Sequence, residues 1–97
     1  MNVALVELGI PYTGWPVRSD GNYEFGLTFL SSQLIDRISE WARGFSRGFN
    51  EEAGWSSEAL REEHLAEGLR LRDVLQEALG ESYRVELNDL GSGRVQV

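Results

Sequence analysis

Residues 31–50 read SSQLIDRISEWARGFSRGFN, and their spacing decides the fold. Leu34, Ile35, Ile38, Trp41, Ala42, Phe45 and Phe49 fall on one side of a helical wheel, while Asp36, Glu40, Arg43 and Arg47 fill the other. Ser31 or Ser32 supplies a hydroxyl that can cap the first free backbone N–H groups. The spacing therefore predicts an amphipathic helix over 31–49 that turns an aromatic-rich stripe to a core. Gly44 and Gly48 each cost about 1 kcal/mol of helix propensity and weaken its last turns. Asn50 and Gly54 end it.

A second helix follows almost at once. In Trp55-Ser56-Ser57-Glu58, Ser56 reads as the N-cap, Glu58 as the acid of the first turn, and Trp55 as a staple packing on Leu60. The predicted helix spans 57–79, and Gly80 supplies the stop. Its core arc holds Leu60, His64, Gly68, Leu71, Val74, Leu75, Ala78 and Leu79, with Leu65 and Leu69 off that arc. Gly68 stands in mid-helix at a cost of about 1 kcal/mol, which a close approach by Trp41 or Phe45 would offset. The short connection makes the two helices an antiparallel hairpin.

Strand signals lie on both sides of the helices. NVALVEL (2–8) is a short, nearly continuous apolar run ended by Gly9, and 82–88 alternates Tyr83, Val85 and Leu87 against Arg84, Glu86 and Asn88. Residues 9–30 are rich in turn signals. Trp15-Pro16-Val17-Arg18 and Tyr23-Glu24-Phe25 can pair as a hairpin around Asp20-Gly21, with Pro16 confining its strand to an edge. Residues 89–97 read either as an edge strand or as a tail. The fold class is α+β in a single domain of residues 1–97: an antiparallel helix hairpin on one face of a small antiparallel β-sheet.

The set Leu34…Trp41-x-x-x-Phe45, Gly54-Trp55-Ser56, Gly68, Leu75…Leu79-Gly80 and Tyr83-x-Val85 resembles a group of uncharacterised small acidic proteins of high-GC actinobacterial genomes. The resemblance covers about residues 31–87 and rests on core and capping positions. It implies fold and origin rather than an activity, and it does not extend to residues 9–30.

Composition narrows the function. The chain carries 16 acids against 9 bases, all of them arginine, for a net charge of −7, with one histidine and no cysteine. Thiolate chemistry, disulfides, a Schiff-base lysine and a P-loop lysine are excluded. A basic nucleic-acid-gripping surface is not expected. No run approaches the ~20 apolar residues of a membrane span, and no signal peptide is read at the start, so a cytoplasmic location is expected. His64 lacks the spacing of a metal site: position 61, where a Glu-x-x-His pair needs a carboxylate, is Arg61. Its place on the apolar arc marks it as a packed histidine, and neither a catalytic residue, a metal nor a cofactor is expected.

The charge is uneven, with eleven acids and five arginines after residue 50. That asymmetry points to a non-enzymatic module that docks on a basic protein, as an immunity or antitoxin-like inhibitor would. Glu51, Glu52, Glu58, Glu62 and Glu63 are the expected attracting residues, and Trp15 and Tyr23 the aromatic anchors. The alternative is a structural or self-associating domain, monomer or weak homodimer, that uses Leu65 and Leu69.

Overall fold

The computed structural model describes residues 3–9, 15–50 and 54–88. In chain order these form β1 (Ala4–Gly9), β2 (Val17–Arg18), α1 (Ser32–Gly48), β3 (Phe49–Asn50), β4 (Gly54–Trp55), α2 (Glu58–Leu79) and β5 (Tyr83–Asn88). The expected beginning of the first strand at residue 2, the end strand or tail at 89–97, and residues 51–53 of the helix connection lie outside the described residues.

The class is α+β, but the sheet is mixed. Its order is β2-β1-β5. β2 runs antiparallel to β1, with Glu7 opposite Arg18 and Leu8 opposite Val17, whereas β5 runs parallel to β1 from Ala4 opposite Tyr83 to Gly9 opposite Asn88. The purely antiparallel sheet expected from sequence is corrected here, and the helices explain why. Successively later residues of α1 meet successively earlier residues of α2: Arg37 bonds Glu67, Trp41 bonds His64, and Gly48 lies against Leu60. Such an antiparallel pair returns the chain to the end of the sheet it left. β5 therefore starts where β1 starts and runs the same way.

The core lies between the helices and one sheet face. Leu34, Ile38 and Trp41 of α1 and Leu71 and Leu75 of α2 pack with Val6, Leu8, Val17 and Val85. Only His64, Gly68, Leu71 and Leu75 of α2 are buried. Leu60, Val74 and Ala78, expected on its core arc, are exposed. The buried stripe is narrow because α2 is wedged between α1 and β5 along a single row of positions.

Both ends of α1 and the start of α2 differ from the sequence reading by a residue, while α2 ends at Leu79 as read. Ser31 caps α1, accepting from the Leu34 N–H at 3.2 Å. α2 is capped by Ser57 rather than Ser56, the hydroxyl accepting from the Leu60 N–H at 3.1 Å. α1 stops at Gly48, and Phe49 is extended (φ −114°, ψ 135°). It leaves the helix because it pairs with Trp55 in the β3–β4 ribbon and stacks on Phe45 with ring centroids 4.6 Å apart. Gly48 permits this: a Cβ there would sit 2.7 Å from Trp55 Cζ3.

The expected hairpin of 15–18 with 23–25 is reduced to its turn. Ser19 and Asn22 exchange backbone hydrogen bonds around Asp20 (φ 49°) and Gly21 (φ 77°), the left-handed pair that an Asp-Gly turn adopts. Beyond Asn22 the chain turns inward. Trp15 Nε1 donates to the Phe25 carbonyl at 2.7 Å, and both side chains pack on the core.

Gln76 finishes the sheet. Its Nε2 donates to the carbonyls of Tyr83 (2.7 Å) and Gly80 (3.0 Å), and its Oε1 accepts from the Val85 N–H (2.8 Å). One side-chain amide thus does for β5 what a neighbouring strand would. Gln76→Leu leaves two part-buried strand groups without these bonds, at an expected cost of about 2 kcal/mol, measured by urea unfolding. A variant as stable as the parent would mean that water serves those groups equally well.

Candidate partner-binding surface

The charged side chains sort into two populations. All eight arginines among the described residues, from Arg18 to Arg84, are in ion pairs with carboxylates. Two acids each hold two of them. Glu40 binds Arg43 at 2.8 Å and Arg47 at 2.7 Å, and Glu67 binds Arg37 at 2.8 Å and Arg70 at 3.0 Å. The hydrogen bond from Arg47, then that from Arg43, holds the Glu40 carboxyl below its ordinary pKa. The Arg37 hydrogen bond does the same for Glu67, and Glu67 in turn raises Arg37. The arginines are therefore absorbed by six acids, and the remaining field is that of carboxylates without an ion pair among the described residues. Glu62 and Glu63 on α2 belong to this second group, as does Asp20 in the β2 turn.

The residues expected at a contact do not share one face. Glu58, Glu62 and Glu63 are exposed on the first turns of α2, beside the β3–β4 ribbon, with Glu58 3.7 Å from Arg61. Glu51 and Glu52 lie outside the described residues. Trp15 is half-buried and its indole N–H is already bonded inside the fold. Tyr23 is 70 % exposed. It lines an open groove of about 570 Å³ with Leu5, Glu7, Arg18, Ser19 and Asp20, and this groove lies on the sheet face turned away from the helices. Leu65 is half-buried and Leu69 is 46 % exposed, on the outer side of α2.

Tyr23 is a candidate anchor from sequence because it sits with Trp15 in a turn-rich segment. Leu5 and Asp20 gave no such signal. Leu5 sits inside an apolar run and Asp20 inside a turn motif, and only the pairing of β2 with β1 brings them together.

His64 is enclosed by rings. Trp41 stacks on it with centroids 4.5 Å apart at 9°, Trp55 lies at 4.9 Å and Phe45 at 5.5 Å. At 6 % exposure it is part of the core that holds α1, α2 and the ribbon together. Among the described residues no three His, Asp or Glu side chains gather as a metal site, and no helix is long and apolar enough to cross a membrane.

No curated protein matches the chain. The family described as Serratia CdiI immunity protein-like matches residues 6–89, a span that takes in most of β1, all of β5 and both helices between them. On that match the chain belongs to the Serratia CdiI immunity protein-like family.

Proposed function

We propose that this protein neutralises a protein toxin by binding it, without catalysis, and that its acidic surface draws it to a basic face of that toxin in the cytoplasm. The observation that carries the reading is the family match over residues 6–89, which makes the chain an immunity-type, partner-binding protein. Two features of the fold support the finer parts. The lone imidazole is committed to an aromatic core, which favours inhibition over chemistry. The arginines among the described residues are in ion pairs within the chain, which supports a net negative potential toward a partner, with Glu58, Glu62 and Glu63 exposed together. Long-range attraction of this kind speeds association and weakens with salt.

The test is capture followed by rescue. The tagged chain is purified from its native host at low and at high salt, and a partner retained preferentially at low salt is identified and expressed alone. The expected result is growth arrest by that partner, relief on co-expression of the chain, and weaker relief by a Glu62→Gln/Glu63→Gln variant. A chain that retains nothing at low salt, or whose partner is harmless, overturns the reading.

Self-association is the second reading, favoured by one observation, the exposure of Leu69 one turn after the half-buried Leu65. Light scattering at high concentration decides it, since a strict monomer removes it.

A further inference from the structure

We infer that the groove on the open sheet face receives an arginine side chain from a protein partner. The inference deepens the immunity reading and rests on it for the partner's being a toxin. The chemistry of the groove stands on its own residues.

The groove has an apolar floor, an aromatic wall and one uncompensated charge. Leu5 is 44 % exposed on the outer side of β1, and Tyr23 stands beside it. Arg18 also lines the groove, but Glu7 holds it through Nε at 3.2 Å and Nη2 at 3.1 Å. That pair is neutral. The Asp20 carboxylate has no ion pair among the described residues and is the net charge of the lining.

The backbone that carries this carboxylate is fixed. The turn that carries it is closed by Ser19 N–H to Asn22 O (3.2 Å) and Asn22 N–H to Ser19 O (2.8 Å). It is also pinned to β1, because the buried Ser19 hydroxyl donates to the Leu5 carbonyl at 2.7 Å. The floor and the turn that carries the charge are thus linked by one hydrogen bond, so the backbone under the site needs no ordering on binding.

A guanidinium suits these three features together. Its planar face lies on an aromatic ring, its N–H fork meets a carboxylate, and its alkyl stem covers an apolar floor. An acidic side chain would meet Asp20 unfavourably, and a purely apolar one would bury that carboxylate without a partner. A volume of about 570 Å³ is in the range of small-ligand sites, so the residues flanking the arginine fit as well.

The test needs no toxin. The full chain is labelled with ¹⁵N and titrated in the millimolar range with acetyl-Gly-Arg-Gly-amide and with the same peptide carrying citrulline. The arginine peptide is expected to shift the amides of Leu5, Asp20 and Tyr23 first, and the citrulline peptide to bind several-fold more weakly. Asp20→Asn removes the charge but keeps a residue that adopts the left-handed turn, and is expected to weaken binding about threefold. Tyr23→Leu is expected to weaken it by about the same factor. Shifts centred on Glu62 and Glu63, an equal response to citrulline, an unchanged affinity in Asp20→Asn, or no shift at all would each overturn the inference. Because the peptide replaces the partner, failure here leaves toxin capture standing, and failure of toxin capture leaves the peptide result standing.

Discussion

Trp41→Ala is expected to cost 3–5 kcal/mol, the usual loss for emptying a buried tryptophan site, and to lower the melting temperature by roughly 20 °C in a domain of this size. Trp41 is 5 % exposed and joins three elements. Its Nε1 donates to the His64 carbonyl at 2.9 Å, its ring stacks on the His64 imidazole, and its edge lies over Gly68, where Leu87 of β5 also arrives. Removing the side chain opens a void where α1, α2 and the sheet meet, with rigid rings around it that cannot collapse inward. Trp41→Phe keeps a stacking ring and loses the indole bond, so about half the penalty is expected. Differential scanning calorimetry on the two variants measures both. A Trp41→Ala protein melting within a few degrees of the parent would show that the ring cluster closes the gap on its own.

Gly68→Leu is expected to destabilise by about 3 kcal/mol, at the upper end for overpacking a core. Helix propensity argues the other way, since glycine in mid-helix is about 1 kcal/mol worse than alanine. Space decides. A Cβ at Gly68 would lie 3.0 Å from Trp41 Cζ2 and 3.3 Å from both Leu87 methyls, so a leucine has nowhere to go between two packed elements. Gly68→Ala is expected to come out near neutral, the propensity gain offset by the tight contact. Pairing Gly68→Leu with Leu87→Ala supplies room for the added side chain and should recover part of the loss, a coupling that a double-mutant cycle reads directly. If Gly68→Leu proves as stable as the parent, the close approach of Trp41 is not what holds glycine there.

Both helices were legible in the sequence because their apolar positions repeat over many turns and serines mark their starts. That an aromatic of α1 approaches Gly68 was legible for the same reason, a costly glycine on a core arc, but the choice of Trp41 over Phe45 comes from the structure. The direction of β5 was not. Alternation in Tyr83, Val85 and Leu87 states which side of a strand is buried but carries nothing about which neighbour it meets or which way that neighbour runs. The end of α1 was misplaced for a related reason. Phe49 continues the helical period, and only its ribbon partner Trp55, from the far side of the connection, pulls it out. Nothing in the helical period singles out Gln76, whose bonds to β5 exist only once the strand is placed beside α2. Around the open groove, Tyr23 drew attention as an aromatic in a turn-rich segment, while Asp20 and Leu5 required the β1–β2 register to be seen as neighbours.

The parallel pairing of β1 with β5 also has a consequence in time. β1 is the middle strand of the sheet, yet one of its two partners is made only after both helices. At 5–20 residues per second, the ribosome takes roughly 4–15 s to get from the end of β1 to the start of β5. Throughout that interval an apolar strand offers an open edge to chaperones and to other nascent chains. Pairings this distant along the chain also form slowly once all the residues exist. Whatever this fold binds, its sheet is complete only once β5 has been made, so binding depends on chains grown past both helices rather than on chains begun.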